Sequence, residues 1–298
     1  MASVDINGIT ITYESSGDPA GPAVLLNMGL ALQLISWPHE LVDGLVQRGY
    51  HVIRYDNRDA GLSSHFHHAG RPNLPLSYLK YLLGWPLRAA YTLHDMAADA
   101  LGLLDALGVR AAHVVGVSMG GMVSQIMAAH YPQRTLSLTS IMSSSGRRGL
   151  PGPTPAARRV LLRRTVSARQ RARLAEQMVD TFRTIGSPAY PMPEDLLRQM
   201  VGAAIARSVN GDGVARQLLA IAASGDRSPL LRQIRCPALV IHGAADPLLP
   251  CACGIDTARQ IPGARLEVIE GMGHDLPPAL MGHLLGLLDQ HLRGKMAS

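Results

Sequence analysis

A serine hydroxyl is a weak nucleophile at neutral pH. It needs a base to take its proton, a carboxylate to orient that base, and N–H donors for the negative oxygen that forms. The chain carries residues of these types in a suggestive order. Ser118 sits in Gly116-Val117-Ser118-Met119-Gly120, behind the apolar run His113-Val114-Val115 and ahead of an Ala/Met-rich helical pattern. Strand, sharp turn and helix form the setting in which this pentapeptide acts as a nucleophile elbow. The glycines remove collisions that side chains would make with the neighbouring strand and helix. Any glycine-rich strand-to-helix turn can also hold a serine without chemistry, so the partners decide the reading.

Asp246 follows in Gly243-Ala244-Ala245-Asp246-Pro247 and His274 in Gly271-Met272-Gly273-His274, each on a loop directly after a strand-like run. Serine, then acid, then histidine is the order expected with this elbow. Among the other histidines, His113 falls inside the elbow strand, His94 in the first turn of a helix, and His283 and His291 on the last helix, with His242 beside a strand end. Only His274 has flanking glycines that free its loop to place the ring. For the acid, Asp56, Asp59, Asp256 and Asp275 compete; Asp275 adjoins the histidine, so its side chain is expected to point elsewhere. A carboxylate before proline can also simply start a turn. The oxyanion donors are expected to be the backbone N–H groups of Met119 and, from the loop after an early strand, Leu30.

These loops need a scaffold. Residues 7–15 alternate with period two and belong to an opening hairpin, and Ala23–Leu26 is a continuous apolar run of the kind a parallel sheet buries on both faces. His51–Tyr55, Thr135–Met142, Ala238–Ile241 and Ala264–Glu270 read as further strands. Helices are expected at His39–Gln47, from a capping box at Thr92 and Asp95 to about Leu107 with Gly108 as its C-cap, around Cys253–Gln260 and at Pro278–Leu292. Residues 64–91 are irregular, with Pro72, Pro75 and Pro86 interrupting an apolar set. From Arg147 to about Pro229 no strand is evident, and helical patterns run over Pro155–Thr165, Ala168–Thr184, Pro193–Ala206 and Gly213–Ala223. Alternating strands and helices predict an open parallel sheet covered on both faces. The expected division is a core of 1–146 and 230–298 with a helical cap at 147–229.

At 298 residues, 47% hydrophobic and 17% charged, the chain can bury a large core. Three cysteines, with Cys251 and Cys253 one residue apart, fit neither a disulfide framework nor a metal site. The N-terminus lacks the pattern of a secretory leader and no apolar run is long enough to span a membrane, so a cytoplasmic protein is expected. The net charge is +6, and 15 arginines but only six acidic residues lie between Arg147 and Arg232. That asymmetry reads as a solvated arginine-rich helical surface; no nucleic-acid motif accompanies it, and docking of the cap to a membrane surface is a weaker alternative.

Asn27–Leu30, Gly116–Gly120, Gly243–Asp246 and Gly271–His274, together with Tyr55–Ser63, resemble the motifs of the α/β-hydrolase family over essentially the whole chain. The resemblance is to cap-bearing serine esterases, with polyketide methylesterases and general carboxylesterases nearest. It implies a mostly parallel doubly wound sheet with a helical cap insertion, and ester cleavage through Ser118, His274 and Asp246 by way of an acyl-enzyme, with no metal or organic cofactor. Some relatives carry the acid after the strand following the elbow helix, where this chain has Met142-Ser143-Ser144-Ser145. The family commonly has His-Gly where Met28-Gly29 stands, and Asn27 is a candidate to brace that loop instead. Haloalkane dehalogenases and epoxide hydrolases have aspartate in place of Ser118. Lactonases, amidases, C–C bond hydrolases and cofactor-free perhydrolases share the triad, and a non-catalytic ligand-binding protein on the same scaffold is the remote alternative. The expected substrate is a small ester with an apolar acyl or alcohol group, and nucleic acid is not an expected partner.

Overall fold

A computed structural model describes residues 1–163 and 170–294. Eight strands, β1 (Ala2–Ile6), β2 (Ile9–Ser16), β3 (Ala23–Asn27), β4 (His51–Tyr55), β5 (Ala112–Val117), β6 (Thr135–Ile141), β7 (Ala238–Gly243) and β8 (Arg265–Ile269), form one sheet in the order β1-β2-β4-β3-β5-β6-β7-β8. β1 and β2 are an antiparallel hairpin at one edge, and β2 also runs antiparallel to β4. All the remaining pairings are parallel. The hairpin turns on Asn7 and Gly8, both at positive φ, as a two-residue Asn-Gly connection requires.

The central strands are buried on both faces. In β3, Leu25 packs into one apolar cluster while Val24 and Leu26 pack into the other, and β5 splits Val114 from Val115 and Val117 in the same way. Helices α1 (His39–Gln47), α2 (Leu74–Leu82), α3 (Leu93–Ala106) and α4 (Met119–His130) intervene between the strands. α3 and α4 supply the first cluster through residues such as Met96, Leu103, Val123 and Met127. α1 covers the opposite face together with the last helix, whose Leu284 and Leu288 pack beside Leu41 and Leu45. The expected capping box is formed: Thr92 accepts from the Asp95 N–H, and the Asp95 carboxylate accepts from the Thr92 N–H at 2.7 Å. Gly108 follows at φ +67°.

Between β6 and β7 the described residues form helices and no strand: α5 (Pro155–Leu162), α6 (Arg171–Ile185), α7 (Glu194–Arg207), α8 (Gly211–Ser224) and the short α9 (Ser228–Leu231). Thr165 and Ala168, which end two of the expected helical patterns, lie outside the described residues. α6 and α7 share a small apolar core of their own, built on Leu174, Val179, Leu197, Val201 and Ile205. After β7 come α10 (Ala252–Gln260), β8, a single 3-10 turn at Pro278–Leu280 and α11 (Met281–Leu292). No described helix is long and apolar enough to cross a membrane.

The arginines of this insertion are not all solvated. Arg216 and Arg227 are buried, and Arg216 lies against Asp59 of the loop after β4 with two contacts of 2.7 Å. Arg207 pairs with the buried Asp56 at 2.6 Å. A planar guanidinium meeting a carboxylate in two places is the pairing best able to survive removal from water. Several of the arginines read as surface charge thus fasten the insertion to the sheet.

Candidate active site

In a parallel sheet all carboxyl ends lie along one edge, where open α/β sheets place their ligands. β3, β5, β7 and β8 end there at Asn27, Val117, Gly243 and Ile269, so the loops bearing Leu30, Ser118, Asp246 and His274 leave from that edge. Ser118 has φ +55° and ψ −119°, a conformation that L-residues adopt only when the surroundings enforce it. The enforcing contacts are visible. The Ser118 N–H donates to the Ile141 carbonyl at 2.8 Å, and the Ser143 hydroxyl donates to the Ser118 carbonyl at 2.8 Å. A Cβ at Gly116 would run into the Gly120 carbonyl, and one at Gly120 into the Asn27 carbonyl, so side chains at either position would push the turn apart.

The structure brings Ser118, His274 and Asp246 into one chain of hydrogen bonds. His274 Nε2 lies 3.0 Å from Ser118 Oγ, and His274 Nδ1 lies 2.6 Å from Asp246 Oδ2. A carboxylate can only accept, so Nδ1 carries the proton and Nε2 is left with a lone pair facing the hydroxyl. His274 and Asp246 are 8% and 5% exposed, which removes most competing water from the two bonds. The second carboxylate oxygen, Oδ1, accepts from the Leu248 and Leu249 N–H groups at 2.8 and 2.9 Å, fixing the plane of the carboxylate.

Helix α4 begins one residue after Ser118, so the Met119 N–H belongs to the first turn and has no helical acceptor. The β3 loop comes close on the other side: a Cβ on Gly29 would lie 3.3 Å from the Ser118 Cβ. Leu30, the expected second donor, follows in that loop. Asn27 does not brace the loop directly. Its amide donates to Ser124 at 2.6 Å and its carbonyl accepts from the Tyr55 hydroxyl at 2.7 Å, which ties the end of β3 to α4 and β4. The loop itself is held by Asn57, which donates to the Met28 carbonyl at 3.2 Å, and by Gln217 of α8, which accepts from the Ala31 N–H at 2.9 Å. Neither contact has a local sequence signal, because each joins residues far apart in the chain.

The histidine loop is clasped by the insertion. The His274 N–H donates to the Ile185 carbonyl at 2.7 Å, and Ser187 accepts from the Gly273 N–H at 2.8 Å while donating to Asp275 at 2.5 Å. Burial pushes the Asp275 carboxyl above its ordinary range, and this hydrogen bond only partly offsets that. Asp275 therefore points into the insertion, away from the imidazole chain.

The remaining candidates are engaged elsewhere. Asp256 pairs with Arg147 and Ser145, and Asp59 with Arg216 and Tyr91. His113 meets Ser137 at 2.8 Å inside the sheet, and burial pushes its pKa down to about 4. His291 reaches the Leu138 carbonyl, and His94 packs at a tilt against His130 with ring centres 5.2 Å apart. His242 is closest to the site: Nε2 lies 2.7 Å from the Leu249 carbonyl and 3.5 Å from Asp246, and burial pushes its pKa below the ordinary histidine value against the opposing pull of that carbonyl and of Asp246. No group of three or more metal-binding side chains occurs among the described residues.

The profile of the α/β-hydrolase fold family matches residues 22–277. The chain belongs to the α/β-hydrolase family. It is 31% identical to the rhodomycin D methylesterase of Streptomyces peucetius over 96% of this chain and 95% of that protein. It is 26% identical to a 3-oxoadipate enol-lactonase of Acinetobacter baylyi over 88% of this chain and 85% of that one. Among solved structures, the fold is similar to an enol-lactonase from Burkholderia xenovorans (TM-score 0.75, 24% identity, covering 98% of this chain and 100% of that one). A meta-cleavage product hydrolase from Pseudomonas fluorescens is similar in fold as well (TM-score 0.77, 19% identity, covering 99% and 98%).

Proposed function

We propose that this α/β-hydrolase cleaves carboxylic esters by two-step acyl transfer at Ser118. The observation that carries the proposal is the unbroken hydrogen-bond chain Ser118–His274–Asp246, with spacings of 3.0 and 2.6 Å and its tautomer set by the carboxylate. His274 Nε2 takes the hydroxyl proton as Oγ attacks the ester carbonyl, and Asp246 stabilises the imidazolium that results. The Met119 and Leu30 N–H groups receive the oxyanion. His274 then protonates the departing alkoxide as the carbon–oxygen bond breaks, leaving an acyl group on Oγ. A water, deprotonated by the same nitrogen, attacks that acyl group and releases the acid. None of these steps calls for a metal or organic cofactor.

In this reading residues 147–229 are the cap that shapes the pocket. Support comes from their three attachments to the catalytic edge: Gln217 on the β3 loop, Ile185 and Ser187 on the histidine loop, and Arg216 on the loop after β4. The similarity to a methylesterase over 96% of the chain favours methyl esters over esters of large alcohols.

The test is a panel of methyl and p-nitrophenyl esters of graded acyl size, run beside lactones and amides. Turnover of esters that disappears in Ser118→Ala supports the proposal. Turnover that survives in the folded Ser118→Ala chain, or cleavage of amides or lactones alone, would overturn it.

A further inference from the structure

Helix α2 is built inside out. A surface helix ordinarily turns its apolar stripe toward the core. In α2 no residue is buried, and the positions that face inward, Leu74, Ser77 and Lys80, include a hydroxyl and an amine. The outward side carries Leu76, Tyr78, Leu79 and Leu82, and the turn that follows adds Leu83 and Trp85, these six being between 47% and 61% exposed. Elsewhere among the described residues, exposed large apolar side chains such as Leu136, Leu196 and Val268 are scattered singly. A contiguous apolar patch on a folded chain marks a contact surface.

The helix is formed in spite of this exposure. Asn73 caps it by accepting from the Leu76 N–H at 3.1 Å, and Pro75 occupies its first turn. Its approach is tied down by Arg216, which donates to the Gly70 carbonyl at 2.6 Å.

The surroundings are basic. No carboxylate occurs between Asp59 and Asp95, whereas Arg71, Lys80 and Arg88 do. Arg148, on the loop after β6, brings its guanidinium to within 3.3 Å of where a Cβ on Gly84 would stand. Two acids meet this segment: Asp212, an exposed partner of Arg71 at 3.5 Å, and Asp226, which lines the cavity beside Trp85 together with Arg148.

We propose that α2 and the turn through Trp85 dock this protein reversibly on an anionic lipid bilayer. Leucines supply the apolar area, tryptophan and tyrosine suit the depth at which a ring is buried and its polar edge stays wet, and the arginines meet the lipid charge. A symmetric dimer through the same helix would set these cations against their own copies. The position also fits the chemistry of the neighbouring edge. Tyr81 and Trp85 line one side of a cavity of about 170 Å³ whose other side includes Gly146 and Arg148. Gly146 lies shortly after Ser143, whose hydroxyl holds the Ser118 carbonyl. Docking would set this edge of the sheet against the membrane, where an apolar ester concentrates.

The protein carries its own reporter, since its only other tryptophan, Trp37, is fully buried. The full chain with Ser118→Ala would be titrated with vesicles of phosphatidylcholine, with and without phosphatidylserine, reading the Trp85 emission maximum and cosedimentation. The proposal expects a blue shift and sedimentation that strengthen with phosphatidylserine. It expects about a hundredfold weaker partitioning for Leu79→Asp combined with Leu82→Asp, because each leucine withdrawn from the bilayer forfeits roughly a factor of ten. The same pair placed in the otherwise unaltered chain should leave turnover of a water-soluble ester unchanged, which separates lost docking from lost folding. Absence of both signals, equal binding to neutral and anionic vesicles, or a concentration-dependent dimer abolished by the double substitution would each overturn it. Because binding is read without hydrolysis, such a failure leaves the proposed ester cleavage standing.

Discussion

Replacing Asp246 by asparagine probes the site with almost no change of volume. The Leu248 and Leu249 N–H groups both donate to Oδ1, at 2.8 and 2.9 Å. An asparagine that keeps these two bonds must present its carbonyl to the amides and its NH2 to His274. Rotating it the other way keeps the single bond to His274 and loses two, at about 1 kcal/mol for each net hydrogen bond. The first orientation therefore wins. An NH2 group can only donate, so Nδ1, now 2.6 Å from the carboxylate, has to become an acceptor and the ring proton moves to Nε2. A protonated Nε2 cannot take the proton of Ser118. The expected loss in kcat is about 10⁴-fold, roughly 5 kcal/mol on the barrier. Steady-state kinetics on a chromogenic ester would measure it, with a thermal melt to verify that the chain is folded. A folded Asp246→Asn variant within tenfold of the parent would refute the reasoning about the tautomer.

The Leu30 N–H has an equally direct probe: Leu30→Pro removes it and should lower kcat by about 10²–10³-fold. Unchanged turnover in the folded variant would remove Leu30 from the oxyanion site. Asp59→Asn breaks the doubly bonded pair with buried Arg216 and should cost about 3–5 kcal/mol, read from denaturant unfolding. Burial opposes ionisation of Asp59, but the hydrogen bonds from Arg216, the Phe66 N–H and Tyr91 outweigh it and hold the carboxyl below its ordinary value of 3.8. A depressed carboxyl stabilises the fold above that value and loses its contribution as pH falls through the depressed one. The stability gap between parent and variant should therefore narrow only below about pH 3.8; a gap that is flat through that range would contradict the assignment. Gln217→Ala frees the Ala31 N–H and loosens the β3 loop from α8, so kcat should fall more than KM rises; a pure KM effect would show that this contact only shapes the pocket.

The elements that position the site were legible because each has a local cause. Ala23–Leu26 is a short apolar run and His51–Tyr55 a β-branched one, both fully buried, and the Thr92–Asp95 box starts α3 where its side chains require. The elbow was legible because its pentapeptide lies between a strand pattern and a helix pattern in one short segment, although only Gly116 answers a nearby atom, the Gly120 carbonyl, while Gly120 answers the distant Asn27 carbonyl. What the sequence hid is held by contacts across long separations. Arg216 on Asp59, Gln217 on Ala31, Ser187 on Gly273 and Asn57 on Met28 are matches in space between residues that look ordinary in their own segments. The arginine-rich stretch shows the same limit: its composition suggests a wet surface, whereas burial of Arg216 and Arg227 depends on where carboxylates and carbonyls happen to lie. Residues 64–91 read as irregular because Pro75 can open a helix as easily as interrupt one, and α2 turns its apolar residues outward, against the usual pattern.

The central claim is that Ser118 is an activated nucleophile. Its most direct test is reaction of the intact protein with a fluorophosphonate, followed by peptide mass spectrometry. The account predicts a single phosphonyl group per chain, on Ser118, with labelling greatly slowed in His274→Ala. A chain that stays unlabelled while folded, or one labelled on another serine such as Ser143, would contradict it.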